Sequence, residues 1–106
     1  MMENIITCEQ CAALENLKIK AINPMQECAI LHCRGGGSMI LLSPTGTGKT
    51  LAYLLPLLER IDDCCSRNVQ AVIIVPPREL AKQVNEVWRG MKLPYQMVAL
   101  YGGRPV

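Results

Sequence analysis

Residues 43–50 read Ser-Pro-Thr-Gly-Thr-Gly-Lys-Thr, and this stretch decides the fold because of what lies on either side of it. The apolar run 39–42 comes before it, and residues 51–60 after it carry apolar side chains at helical spacing. A strand, a glycine-rich loop and a helix in this order are typical of a phosphate-binding loop. The sequence therefore predicts a site for a nucleoside triphosphate with Mg²⁺.

Each position in the second half of this loop has a chemical reason. Gly46 and Gly48 have no Cβ, so the backbone can turn its N–H groups toward phosphate oxygens. Lys49 supplies a positive charge, and Thr50 offers a hydroxyl to Mg²⁺ at a helix start whose dipole also favours an anion. The simpler alternative is a turn that joins a strand to a helix, with Lys49 solvated. The predicted nucleotide-binding residues are Thr45, Gly46, Thr47, Gly48, Lys49 and Thr50, of which Lys49 and Thr50 are also the predicted catalytic residues and Thr50 the predicted metal ligand.

Strand-like and helix-like segments alternate along the chain. The spacing of apolar residues predicts helices over 3–16, 24–33, 50–61 and 80–88 and strands over 39–42, 71–75 and 96–100. This alternation predicts an α/β fold with a mostly parallel sheet, flanked by helices and joined by right-handed crossovers. Ligands bind beyond the carboxyl ends of such strands, where the loops 43–50, 76–79 and 101–104 would lie.

Composition gives few constraints on function. The chain has 106 residues, enough for one small domain or part of a larger one, and its 11 basic and 9 acidic residues are scattered. No apolar run approaches the roughly 18 residues of a membrane helix, and residues 1–16 are too polar for a signal peptide. We therefore expect a soluble cytoplasmic protein without a membrane partner.

Six cysteines, at positions 8, 11, 28, 33, 64 and 65, leave alternatives open. A disulfide framework is expected in small exported chains, and this chain shows no export signal. Cys8 and Cys11 with Cys28 and Cys33 could form a zinc site, although Cys28 would lie on a predicted helix. Thiols without a metal are the simpler interpretation.

Four segments, in order, resemble the first half of the N-terminal RecA-like domain of DEAD-box RNA helicases. Residues 22–26 (Ile-Asn-Pro-Met-Gln) are similar to the Q motif, 43–50 to motif I, 76–81 (Pro-Pro-Arg-Glu-Leu-Ala) to motif Ia and 102–103 (Gly-Gly) to the GG motif. The resemblance covers residues 17–104. It predicts a partial RecA-like helicase domain over 17–106, preceded by a helical lead-in over 1–16.

The resemblance implies that the nucleotide is ATP and that Gln26 reads its adenine. A carboxamide matches the N6 amino group and N7 of adenine and mismatches guanine. Asn23 as N-cap with Gln26 three residues later also predicts a capping box, and the sequence leaves both roles open. The aromatic residue with which the family stacks on adenine is missing, because the chain has no Phe and no Tyr or Trp before Tyr53.

The resemblance also implies contacts with the RNA backbone from Arg78, Gly102, Gly103 and Arg104. A cation at a helix start and an exposed glycine backbone both suit phosphate oxygens. Pro77 stands where the family usually has Thr, which removes one hydroxyl and one N–H donor. A solvated Arg78 and a plain glycine turn are the alternatives.

Parts that a complete helicase needs are missing from the sequence. It contains no Asp-Glu-Ala-Asp, and its only aspartates, Asp62 and Asp63, follow no apolar strand. Hydrolysis in this class requires carboxylates that hold Mg²⁺ and orient water.

We therefore expect a truncated piece of an ATP-dependent RNA helicase that contacts ATP and RNA but does not hydrolyse ATP alone. It would lack the second RecA-like domain and would self-associate through exposed sheet edges. The alternatives are a non-catalytic ATP- or RNA-binding module and a DNA-directed helicase of the same superfamily.

Overall fold

Four helices form the regular structure of residues 5–44, 48–62 and 68–102, which are the residues that the computed structural model describes. In chain order they are α1 (Cys8–Asn16), α2 (Pro24–Arg34), α3 (Lys49–Leu57) and α4 (Arg78–Met91). The four predicted helices are thus confirmed, although their ends differ from the predicted ones. None of the helices in the described ranges is long and apolar enough to cross a bilayer.

Capping boxes set the N-termini of α1 and α2. Thr7 Oγ1 accepts from the Gln10 N–H at 3.1 Å, and Gln10 Oε1 accepts from the Thr7 N–H at 2.8 Å. At α2, Asn23 and Gln26 exchange the same pair of bonds at 2.8 and 3.0 Å, with Pro24 at the first helical position. Each box satisfies two backbone donors that a helix start would otherwise leave unpaired. The predicted helix start at Asn23 is therefore confirmed.

One apolar core lies between the helices. α2 packs against α3, and α1 packs against α4. Burying a large aliphatic side chain stabilises a fold by about 1.5–3 kcal/mol, so a few such residues dominate the packing energy. The large aliphatic and thioether side chains that are fully buried here are Ile30, Leu54, Leu55 and Met91.

The predicted α/β fold with a parallel sheet is wrong for the described residues, which contain no strand and no sheet. The segments 39–42, 71–75 and 96–100 form no backbone ladder with one another or with other described segments. Their side chains alternate between half-buried and exposed positions. The exposed apolar members are Ile40, Leu42, Val72, Ile74, Val98 and Leu100.

The sheet is absent because the helices cover these segments from one side only. A parallel sheet is buried by helices on both faces, and each of its strands needs hydrogen-bonding neighbours. Ile73 and Met97 pack against the helical core, whereas Ile40 and Ile74 are 87% and 89% exposed. The apolar runs predicted burial on both faces, but only one side of each run faces the core.

A polar cluster joins α1 and α2 to the end of α3. Glu59 follows α3 and accepts from Arg34 Nε at 2.8 Å and from Arg34 Nη2 at 3.0 Å. Gln10 is fully buried and donates to the same carboxylate at 2.7 Å and to the Leu55 carbonyl at 2.8 Å. Arg34 also donates to the Ile5 carbonyl. Glu59 therefore links three helices.

These contacts make the stability of the fold depend on pH. The hydrogen bond from Arg34 lowers the pKa of Glu59; partial burial opposes this, and the bond from Gln10 adds to it. A carboxyl whose folded pKa lies below its unfolded value of about 4.3 stabilises the fold above that pH. The contribution is lost as the pH falls through the folded pKa.

Glu59→Gln should lower the free energy of unfolding at neutral pH by about 0.5–1 kcal/mol, the magnitude of a partly exposed ion pair. Thermal unfolding followed by circular dichroism measures the change. As the pH falls through the lowered folded pKa of Glu59, the difference from the unsubstituted protein should shrink, because the carboxyl is then protonated in both states. The control is Glu86→Gln, which removes an exposed α4 carboxylate that has no ion-pair partner within the described ranges. Equal losses in the two variants would contradict this role of Glu59.

Candidate nucleotide and RNA sites

The described end of the predicted phosphate-binding loop starts α3. Gly48 is the N-cap in the left-handed conformation, with φ 82° and ψ 33°, which favours glycine. Its carbonyl accepts the first helical bond, from the Ala52 N–H at 3.3 Å. No described side chain caps this helix, so its first N–H groups are available to an anion. Lys49 is exposed and Thr50 half-buried at this helix start.

Gln26 reaches across from α2 to the same place. Its Nε2 donates to the Gly48 carbonyl at 3.1 Å, over 22 residues of chain. A Cβ on Gly48 would come within 2.6 Å of this Nε2. The absence of a side chain at position 48 therefore allows both the left-handed backbone and the approach of Gln26.

The capping box and the contact with Gly48 use only part of the Gln26 carboxamide. The side chain is 4% exposed. Oε1 accepts the Asn23 N–H, and Nε2 donates one of its two hydrogens to Gly48. One hydrogen and one lone pair have no partner among the described residues. The capping box is confirmed, and it leaves the donor and acceptor that adenine recognition would need.

Arg78, one of the predicted RNA residues, lies near the segment that contains Gly102. α4 begins at Arg78, and its N-cap Pro77 provides no side-chain cap. The Arg78 guanidinium carbon lies 5.8 Å from the centre of the Tyr101 ring, and Lys82 Nζ lies 5.6 Å from it. Gly102 follows and is exposed, with no heavy atom within 4 Å of a Cβ built on it. The segment before the glycine pair thus contacts the helix that starts at Arg78.

The predicted site residues fall into two described groups and one undescribed set. Gln26 contacts Gly48, and Arg78 contacts the ring that precedes Gly102. The sequence predicted no site role for Lys82, and it placed Tyr101 in a loop at the expected ligand edge without giving it a role. Lys82 carried a signal, because it lies four residues after Arg78 and so on the same helix face. The predicted site residues that lie outside the described ranges are Thr45, Gly46, Thr47, Gly103 and Arg104.

The described cysteines do not form a metal site. Cys8, Cys11 and Cys28 are exposed and Cys33 is half-buried, and no disulfide joins any two of these four. Within the described ranges no group of three or more His, Cys, Asp and Glu side chains is placed to hold a metal ion. The zinc alternative therefore has no support from the positions of these four residues.

Comparison with known proteins identifies the family. The model of the DEAD/DEAH box helicase family matches residues 23–106. RNA helicase CrhR of Synechocystis sp. is 37% identical over 92% of this chain and 20% of its own length. The probable ATP-dependent RNA helicase YfmL of Bacillus subtilis is 46% identical over 78% of this chain and 22% of its own length. The DEAD-box ATP-dependent RNA helicase CshA of Bacillus cereus is 35% identical over 89% of this chain and 18% of its own length.

The chain belongs to the DEAD/DEAH box helicase family. Its similarity to DEAD-box RNA helicases over most of its length confirms the predicted resemblance to their N-terminal part. The chain spans about a fifth of the length of these relatives.

Gly48→Ala should destabilise the fold more than Gly36→Ala does. Both glycines have a positive φ, 82° and 85°, so both variants incur the left-handed strain of about 1–2 kcal/mol. Only at position 48 does the new Cβ meet another group, because Gly36 has nothing within 4 Å. Urea unfolding measures both variants, and we expect an additional loss of about 1 kcal/mol or more at Gly48. Equal losses would mean that Gln26 moves aside without cost.

Proposed function

We propose that this chain is the ATP-binding and RNA-backbone-contacting part of an ATP-dependent DEAD-box RNA helicase. The hydrogen bond from Gln26 to the Gly48 carbonyl carries the proposal. It joins a residue of the segment similar to the Q motif to a residue of the segment similar to motif I. A carboxamide with a spare donor and acceptor thus lies beside the start of a helix whose first N–H groups are not capped by described side chains.

In the proposed ATP site, Gln26 selects adenine and residues 45–50 surround the phosphates. Lys49 neutralises charge on the outer phosphates, and the hydroxyl of Thr50 contributes to Mg²⁺ coordination. Gly48 lets the backbone approach the phosphates without a side chain in between. Mg²⁺, where bound, supplies positive charge that offsets the developing negative charge of phosphoryl transfer.

In the proposed RNA site, Arg78 contacts a phosphate at the start of α4, beside the exposed backbone of Gly102. Gly103 and Arg104 would extend this contact along the chain. Such contacts position the nucleic acid and do not read its bases. The printed names of the relatives, which describe RNA helicases, favour RNA over DNA.

We propose that ATP turnover needs parts that this sequence does not contain. It has no Asp-Glu-Ala-Asp, so the carboxylates for Mg²⁺ and water are missing from it. Exposed apolar residues such as Ile40, Leu42 and Ile74 favour self-association of the 106-residue chain. A non-catalytic ATP- or RNA-binding module is the second candidate, and the missing carboxylates are the observation that favours it.

Lys49→Ala should weaken ATP binding about tenfold or more, because it removes a charge-assisted contact with the phosphates. Titration of a fluorescent ATP analogue in the presence of Mg²⁺ measures the affinity. Lys20→Ala is the matched control, since it removes an exposed lysine between α1 and α2. ATP affinity that is unchanged in the Lys49 variant would refute the proposed phosphate site.

Gln26→Ala should abolish the preference for ATP over GTP, because it removes the group that matches adenine. Gln10→Ala provides a close control: Gln10 is also a buried third residue of a capping box, and it also donates to a backbone carbonyl of α3. Both substitutions should destabilise the fold by about 1 kcal/mol or more. Competition of ATP and GTP for the fluorescent analogue measures the selectivity. If both variants retain the ATP preference, adenine recognition by Gln26 is wrong.

A further inference from the structure

We propose that Lys82 and Tyr101 act together with Arg78 as one binding site for the phosphates of an RNA strand, with Tyr101 positioning the two cations. Arg78, Lys82 and Tyr101 form the Tyr101 cluster. The proposal rests on the proposed RNA contact of Arg78 and adds two residues to it.

The geometry of the Tyr101 cluster brings two positive charges to one aromatic ring. Arg78 and Lys82 are four residues apart on α4, so their side chains leave the same helix face. Their charged groups lie 5.8 and 5.6 Å from the centre of the Tyr101 ring. Both distances are within the range of about 6 Å in which the electron-rich face of an aromatic ring attracts a cation.

Two like charges four residues apart on one helix face repel each other weakly. The Tyr101 ring offsets part of it. Within residues 5–44, 48–62 and 68–102, Arg34 and Glu59 form an ion pair, whereas no carboxylate lies within ion-pair distance of Arg78 or Lys82. Both cations are exposed, and the ring is half-buried. An anion that bound between the two side chains would relieve the repulsion.

The surroundings suit a nucleic-acid backbone. The first turn of α4 has no described side-chain cap, so backbone N–H groups are available beside Arg78. Gly102, next to the ring, is exposed and leaves room for a phosphate. Glu79 and Glu86 lie three residues before and four residues after Lys82, so both are its neighbours on α4, but neither forms an ion pair with it within the described ranges. Successive phosphates of a strand could occupy Arg78 and Lys82 together.

The first test measures the salt dependence of RNA binding. Binding of a short fluorescent single-stranded RNA to the 106-residue chain is followed by anisotropy over a series of KCl concentrations. Lys82→Gln should weaken binding and reduce the slope of log K against log salt by about 0.7, the value for one phosphate of a single strand. Lys20→Gln makes the same change in net charge elsewhere and should leave the slope unchanged. Equal slopes for Lys82→Gln and the unsubstituted chain would overturn the proposal.

The second test isolates the ring. Tyr101→Leu keeps both cations and removes the aromatic face, so RNA affinity should fall about two- to fivefold, the effect of one exposed cation–π contact. Tyr101→Phe keeps the face and should bind RNA like the unsubstituted chain. Circular dichroism of both variants reports the helix content independently of binding. If the Leu variant binds RNA as well as the Phe variant, Tyr101 does not position the cations.

Two further outcomes distinguish this inference from the proposed function. If Arg78→Gln weakens RNA binding while Lys82→Gln behaves like Lys20→Gln, the RNA contact stands and the Tyr101 cluster is overturned. If the unsubstituted chain does not bind RNA, both proposals are overturned.

Discussion

Two buried glutamines fix the two ends of α3, and the rest of the structure depends on this pair of contacts. Gln26 donates to the Gly48 carbonyl at the start of the helix, and Gln10 donates to the Leu55 carbonyl near its end. Both are third residues of capping boxes, so each glutamine starts its own helix and holds a second one. A buried amide left without its partner costs about 1–3 kcal/mol, which makes displacement of α3 unfavourable.

This arrangement explains how a small helical core can hold one end of the proposed nucleotide-binding loop. α3 supplies Leu54 and Leu55 to the core and presents Gly48 at the opposite end. Packing fixes the axis of the helix, and the two glutamine bonds fix its position along that axis. The candidate phosphate-binding end is therefore held by the fold at the point where the chain leaves the core.

Local signals in the sequence predicted the local structure well, and they did not predict how segments pair. Asn23, Pro24 and Gln26 predicted the start of α2 because a capping box is a contact within four residues. Thr7 and Gln10 carry the same signal, which would have moved the predicted start of the first helix from residue 3 to residue 8. The predicted sheet was wrong because apolar runs indicate extended chain segments but do not show whether those segments have hydrogen-bonding neighbours. The contact between Lys82 and Tyr101 joins segments distant in sequence, so no local pattern reveals it.

The contact between Gln26 and Gly48 also has a thermodynamic consequence. A ligand that binds only the folded arrangement of these groups stabilises the fold by an amount that grows with its concentration relative to its dissociation constant. Because Gln26 starts α2 and holds α3, the gain would apply to the packed pair of helices and not to the loop alone. A higher nucleotide concentration would then raise the melting temperature of this helix pair, because binding and folding are coupled in one equilibrium.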